Sequence, residues 1–70
     1  MTYTDHARAQ MTDRGVTVAD VEAVTKNPVR GTYSPVRRDR REHFGYAADG
    51  RKLNVVTNRK GDVVITVVLQ

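Results

Sequence analysis

Cysteine and tryptophan are both absent from this chain of 70 residues. Without cysteine there is neither a disulfide framework nor a thiolate zinc site, as is typical of proteins from a reducing compartment. No apolar run approaches the roughly 20 residues that a membrane-spanning helix needs, and residues 2–5 do not resemble a signal peptide. We therefore expect a cytoplasmic protein that does not associate with membranes.

The motifs of the common cofactor enzymes are absent too. The sequence has no Walker loop, no dinucleotide-binding glycine fingerprint and no recognisable Ser-His-Asp arrangement. Its two histidines, His6 and His43, make a poor metal site without cysteine ligands. We expect neither a metal ion nor an organic cofactor.

The small size and the positive charge limit the choice of partners. One small domain, residues 1–70, has little core to spare, so self-association into a homodimer would be a natural supplement. The formal net charge is +4 and the pI is near 10.0, which favours polyanionic partners. Five arginines, opposed locally only by Asp39, form a basic cluster: Arg30, Arg37, Arg38, Arg40 and Arg41. The cluster is either a phosphate-contact surface or a solvated loop that promotes solubility.

Two short helices are predicted at the start of the chain. The stretch 14–17 reads as a basic helix end, a left-handed glycine, a hydrophobic residue and a threonine N-cap. Asp20 follows at the N3 position of a capping box. The second helix is predicted over residues 18–27, because Pro28 disfavours its continuation.

The first helix carries a polar row beside its apolar row. His6, Gln10 and Arg14 are spaced at i, i+4 and i+8, next to Ala7 and Met11. From spacing alone, the favoured interpretation is the solvated face of an amphipathic helix. The helix signals themselves do not require His6 or Gln10, so these residues are also candidates for function.

Extended structure is predicted after Pro28. Strands are expected over residues 29–33, 41–47, 52–58 and 63–69, with tight turns at Asp49-Gly50 and at residues 58–61. The chain is therefore predicted to be an α+β protein, with two N-terminal helices packed on a four-stranded antiparallel meander sheet.

Alternation assigns the strand residues to two faces of this sheet. The face covered by the helices is expected to carry Phe44, Tyr46, Leu53, Val55 and Ile65. The other face is expected to carry Arg41, His43, Lys52, Asn54 and Thr66, with Val56, Val64 and Val68.

The remaining polar inventory suits metal-independent cleavage of RNA. RNA carries its own nucleophile, the 2′-hydroxyl, so an enzyme needs a base, an acid and fixed cations for the phosphorane charge. His6, His43 and the arginines, with Tyr33 or Tyr46, could supply these groups. Composition alone favours a non-catalytic role for each histidine.

The sequence resembles the bacterial family called domain of unknown function 4258. The resemblance rests first on His6-Ala7, Met11 and Arg14-Gly15-Val16, and then on Val21 and Asn27-Pro28. It continues through Asp49-Gly50, Leu53, Val55-Val56 and residues 64–67, and so covers nearly the whole chain. The family is grouped with small RNase toxins of the RelE and BrnT type, which implies a RelE-like fold and neutralisation by an acidic antitoxin protein.

Carried over residue by residue, the resemblance points to His6 and Arg14 as site residues. The chain departs from the family pattern at Gln10, where an arginine is usual, and at Asn54, where a basic residue or histidine is common. Both departures remove charge from the expected site, which leaves three alternatives: a weakened enzyme, an enzyme of different specificity, or a protein that is no longer an enzyme.

Three hypotheses about function follow. In the first, the protein is an endoribonuclease toxin that acts on RNA or ribosomes. The residues expected to be catalytic are His6, Arg14, Arg41 and His43, and those expected to bind the RNA backbone are Arg37, Arg38, Arg40 and Lys52. In the second, the protein is a basic module that binds nucleic acid or a protein without chemistry. In the third, His6 and Arg14 have only a structural role and brace the two helices against the sheet.

Overall fold

The computed structural model describes residues 1–27, 29–33 and 39–69, with only the backbone of residues 30–33. Its elements, in chain order, are β1 (Thr2–Tyr3), α1 (Asp5–Arg14), α2 (Val18–Lys26), β2 (Arg30–Tyr33), β3 (Arg40–Tyr46), β4 (Lys52–Asn58) and β5 (Val63–Leu69). The predicted α+β class is confirmed, and the four long strands lie within one residue of their predicted bounds.

Local signals account for both ends of α1. The Thr4 hydroxyl accepts a hydrogen bond from the Ala7 N–H at 3.1 Å, so Thr4 is the N-cap. The helix stops at Gly15, whose φ of 65° is the left-handed conformation that favours glycine. The next N–H, that of Val16, donates to the Met11 carbonyl at 2.8 Å and completes a Schellman-type end.

The predicted capping box at the start of α2 is confirmed. The Thr17 hydroxyl accepts from the Asp20 N–H at 3.2 Å, and the Asp20 carboxylate accepts from the Thr17 N–H at 3.0 Å. Val16 and Val21, which flank the box, are both buried. The junction between the two helices is therefore defined by local sequence.

The sheet is mixed, so the prediction of a purely antiparallel four-stranded meander is wrong. Its strand order is β1-β5-β4-β3-β2, in which the last four strands form the predicted antiparallel meander. The additional strand β1 pairs in parallel with β5, with Thr2 opposite Val63 and Tyr3 opposite Val64. A strand of two residues is too short to show an alternating pattern, which is why the sequence did not reveal it.

The predicted faces of β3 are exchanged in the structure. His43 lies opposite Val55 and Gly45 opposite Leu53, so these residues share the face that the helices cover. Phe44 and Tyr46 lie on the other face. A shift of one residue moves every side chain of a strand to the opposite face. Phe44 and Tyr46 favoured the wrong assignment, because aromatic side chains are typical of a core.

A register shift in β5 changes one further assignment. Val56 lies opposite Thr66, but the adjacent Thr57 lies opposite Val64, so Ile65 is the extra residue of a bulge. Val64 is fully buried, whereas Ile65 is half-buried. The prediction that Val64 would lie on the face away from the helices is therefore wrong.

The core lies between the helices and one face of the sheet. α1 packs against β5, whereas α2 packs against β3 and β4. The buried hydrophobic residues are small or aliphatic: Ala7, Met11, Val16, Val21, Val24, Ala47, Leu53, Val55, Val64 and Val67. Neither α1 nor α2 is long and apolar enough to cross a membrane, and the described ranges contain no other α-helix.

Candidate functional site

An open groove of about 400 Å³ lies at one end of the sheet. Its walls are the C-terminal half of α2 and the turn between β4 and β5, and the first half of β3 contributes to it from the sheet. The lining residues are Met1, Glu22, Thr25, Lys26, Arg41, His43, Lys60 and Gly61. The groove therefore contains two of the predicted site residues, Arg41 and His43.

The strand period explains why these two residues share the groove. Arg41 and His43 are two positions apart on β3, so their side chains leave the same face of the sheet. That face is the one against which α2 packs. The α-helix brings Glu22, Thr25 and Lys26 to the same place, since its successive turns are three or four residues apart.

The imidazole of His43 is buried but hydrogen-bonded. The residue is 8% exposed, and its Nε2 lies 3.0 Å from Oγ1 of Thr57, a fully buried residue on β4. Burial lowers the pKa of His43, and the positive charge of Arg41 lowers it further. The ring is therefore neutral near pH 7, with one nitrogen that carries a lone pair.

Positive charge predominates around this imidazole. Arg41, Lys26 and Lys60 line the groove against one carboxylate, that of Glu22. Lys26 Nζ lies 3.9 Å from Glu22 Oε2, a long ion pair between exposed side chains that neutralises little. Such a groove attracts anions, and its arginine and lysine side chains suit phosphate oxygens.

His6 and Arg14 do not line this groove. His6 is exposed in the first turn of α1, and Arg14 is the half-buried last residue of the same helix. Because α1 covers β5 while α2 covers β3 and β4, the four residues predicted to be catalytic fall into two separate pairs. The roles predicted for them remain predictions.

The residues predicted to bind RNA are also dispersed. Lys52 is exposed on the sheet face away from the helices, since it lies opposite Tyr46. Arg40, next to Arg41 on the strand, alternates to that same face and is half-buried. Arg37 and Arg38 lie outside the described residues.

The two departures from the family pattern have structural partners. The side-chain oxygen of Gln10 accepts a hydrogen bond from the Val67 N–H at 2.9 Å. An arginine could not accept this bond, because its side chain has only donors. The Asn54 side-chain N–H donates to Glu42 at 3.0 Å on the sheet face away from the helices.

Sequence reasoning missed Arg51, which connects three parts of the fold. Its guanidinium donates to the carbonyl oxygens of Arg14 and Gly15 at 2.8 Å each. It also contacts the Asp49 carboxylate at 2.6 Å and that of Asp20 at 3.4 Å. Arg51 thereby stabilises the end of α1 and holds the helix junction against the β3–β4 turn. No local sequence signal indicates these contacts.

The groove residues Glu22, Lys26 and Lys60 were missed as well, and so was Thr57, the buried hydrogen-bond partner of His43. Each belongs to an ordinary helix, turn or strand pattern, and only the packing of α2 on the sheet brings them near His43. In the described ranges, no group of three or more His, Cys, Asp or Glu side chains is arranged to hold a metal ion.

Comparison with known families agrees with the resemblance in the sequence. The model of the family described as Domain of unknown function (DUF4258) matches residues 3–68. The chain therefore belongs to this family. No curated protein and no solved structure matches the chain.

Proposed function

We propose that this protein is a metal-independent endoribonuclease whose active site is the groove beside α2. The observation that carries the proposal is the neutral His43 imidazole beside Arg41, with Lys26 and Lys60 in the same groove. RNA cleavage requires a base, an acid for the leaving oxygen and fixed cations, because the substrate supplies its own nucleophile. The groove offers the base and the cations, and water can supply the proton of the acid.

In the proposed reaction, His43 takes the proton of a 2′-hydroxyl while that oxygen forms a bond to the adjacent phosphorus. The bond from phosphorus to the 5′-oxygen breaks, and the leaving oxygen takes a proton from water. Arg41, Lys26 and Lys60 stabilise the negative charge of the phosphorane. The products end in a 2′,3′-cyclic phosphate and a 5′-hydroxyl.

The residue pattern of the family favours a different assignment, in which His6 and Arg14 on α1 are catalytic. The grouping of that family with RelE- and BrnT-type toxins is the basis for proposing a RelE-like fold and a toxin that acts in the cytoplasm. A small acidic antitoxin encoded beside the gene would complement the positive charge of the groove. Loss of cleavage on addition of that neighbouring protein would support this part of the proposal.

Cleavage of total RNA and of translating ribosomes in buffer with EDTA tests the groove assignment. His43→Gln keeps a side-chain N–H that can donate to Thr57 but has no group that takes up a proton. We expect this variant to cleave about 10²- to 10⁴-fold more slowly than the wild type, the usual contribution of a general base. Arg8→Ala, an exposed change on α1, is the control for loss of a positive charge.

The double variant His6→Ala, Arg14→Ala decides between the two assignments. Loss of cleavage in this variant, with normal cleavage by His43→Gln, would contradict the groove assignment and place the site on α1. Circular dichroism of each variant shows whether it is folded.

A basic module without catalytic activity is the second candidate function. It is favoured by Gln10 and Asn54, which carry no charge and already form hydrogen bonds within the fold. Binding of RNA by folded wild-type protein, with no cleavage in either assay, would support this candidate and contradict the endoribonuclease proposal.

A further inference from the structure

The Thr57 hydroxyl has two hydrogen-bond neighbours, but its single proton can serve only one of them. Oγ1 donates to the carbonyl oxygen of Asn58 at 3.0 Å. It also lies 3.0 Å from Nε2 of His43. Both hydrogen bonds form at once only if the hydroxyl proton goes to the carbonyl oxygen, which can only accept, and Oγ1 accepts from the imidazole. This pair of bonds requires the hydrogen of the neutral ring to be on Nε2.

We propose that Thr57 holds His43 in the tautomer with hydrogen on Nε2 and thereby leaves the lone pair of Nδ1 available in the groove. The two ring nitrogens point in different directions, so a ring whose Nε2 faces buried Thr57 has Nδ1 facing away from it. His43 lines the groove, and no described residue forms a hydrogen bond with Nδ1.

The partner of Nε2 is well suited to fix the ring. Thr57 is fully buried, and its branched side chain has few χ1 rotamers in a strand. The bond between Thr57 and the Asn58 carbonyl orients the hydroxyl so that its lone pairs remain for the imidazole. The arrangement spans β3 and β4, which pair along their whole length, so the ring is held by the sheet and not by a loop.

The inference extends the proposed function and rests on it for its catalytic meaning. If His43 is the base, Nδ1 is the atom that takes the proton of the 2′-hydroxyl, and the imidazolium that forms still donates from Nε2 to Thr57. Thr57 does not touch the substrate in this scheme. It is a positioning residue, which acts through the tautomer and orientation of His43.

Charged groups from three elements line the groove together with His43, and of these Arg41 lowers the pKa of the imidazole. Arg41 approaches from β3, and Lys60 from the turn between β4 and β5. Glu22 and Lys26 approach from α2. Of these, only Glu22 favours the protonated imidazole. A change at Thr57 leaves all four charges in place, so its effect on His43 is separable from theirs.

Nuclear magnetic resonance of protein with ¹⁵N-labelled histidine tests the proposal without RNA. A His6→Gln variant assigns the signals of the two imidazoles. We expect His43 of the wild type at pH 7.5 to show a protonated Nε2 and an unprotonated Nδ1. Thr57→Ser, which keeps the hydroxyl, should retain this tautomer, whereas the similarly shaped Thr57→Val should lose the preference.

A protonated Nδ1 in the wild type, or an unchanged tautomer in folded Thr57→Val, would overturn the proposal.

The kinetics of cleavage test the positioning role separately. We expect kcat to fall about tenfold in Thr57→Val and to recover in Thr57→Ser. The expected loss is smaller than the 10²- to 10⁴-fold that a general base contributes, because the base itself is still present. An unchanged kcat and pH profile in Thr57→Val would contradict that role. Absence of RNA cleavage by the wild type contradicts the proposed function, while the spectra still decide the tautomer.

Discussion

Asp20 and His43 are both buried and titratable, and their pKa values are lowered for opposite reasons. The pKa of Asp20 falls because the charged carboxylate accepts the Thr17 backbone N–H and lies near Arg51, which outweighs its burial. The pKa of His43 falls because burial and Arg41 disfavour the charged imidazole. The fold thus keeps Asp20 ionised at the helix junction and His43 neutral at the groove.

The lowered pKa of His43 predicts that stability decreases as the pH falls below about 6.5, the ordinary pKa of histidine in an unfolded chain. Between the folded-state pKa and this value, His43 binds a proton in the unfolded state but not in the folded state. The free energy of unfolding therefore decreases as the pH falls, until the pH reaches the folded-state pKa. Urea denaturation between pH 7.5 and 5.5 measures the effect. His43→Gln should lack this contribution, and His6→Gln should retain it. Equal pH dependence in the wild type and His43→Gln would contradict the prediction.

Composition predicted some of the site residues but not their positions in the fold. It pointed to both His43 and Arg41 as a base and a cation, but alternation placed them on a face that the helices were not expected to cover. The lone histidine on α1 carries the family resemblance, yet it is exposed and outside the groove. The spacing of residues in the sequence does not show whether a side chain is buried. Burial is the difference between the two histidines, because His43 is buried and His6 is exposed.

At the scale of elements, Arg51 supplies hydrogen bonds to the end of α1, as the capping box supplies them to the start of α2. The last carbonyls of a helix have no partner within it. Here Arg51, which lies 37 residues after Arg14, supplies two of the missing donors. The positive charge is also favourable next to the negative end of the helix dipole.

Replacement of Arg51 should therefore loosen the helix junction. We expect Arg51→Ala to lower the free energy of unfolding by about 1.5–3 kcal/mol, the usual value for hydrogen bonds of a charged group. Arg51→Lys should lose less, because it keeps the charge but not the two-pronged geometry. Urea denaturation midpoints measure both changes. Lys52→Ala, an exposed neighbour, is the control and should stay within about 0.5 kcal/mol of the wild type. An equal loss in this control would contradict the assigned role.

The elements themselves were largely predictable. The glycine stop, the capping box and the two β-turns are local signals, and each leads to the expected boundary. The strand β1 and the bulge at Ile65 were not predictable, because both depend on pairing between distant segments. The hydrogen bond of Gln10 also depends on tertiary structure. Its side-chain oxygen accepts from the N–H of Val67, a residue of β5 that lies beyond the part of the strand paired with β1.

At the scale of the whole molecule, the positive charges lie on both sides of the sheet. Arg41, Lys26 and Lys60 line the groove on the side of the helices, while Arg40 and Lys52 lie on the other face. A single RNA strand seated in the groove would contact the first set. The net charge of +4 therefore does not by itself identify the binding surface.

The salt dependence of RNA binding distinguishes the groove from a general attraction. With 2′-O-methyl RNA, which has no free 2′-hydroxyl, the slope of log K against log salt changes by about 0.7 for each phosphate contact. We expect the double variant Lys26→Gln, Lys60→Gln to have a slope shallower by about 1.4, as measured by fluorescence anisotropy. Arg8→Gln removes a positive charge outside the groove and should keep the wild-type slope. Equal reductions in both proteins would contradict binding in the groove.

The sequence by itself determined the α+β class, both helices, their junction and the antiparallel meander, because caps, turns and alternation act between near neighbours in the chain. Only the tertiary structure decided which face of β3 the helices cover. A period of two separates the residues into two sets without saying which set is buried. That decision brings His43 under α2 and beside Thr57, 14 residues further along the chain. The groove and its proposed chemistry follow from it.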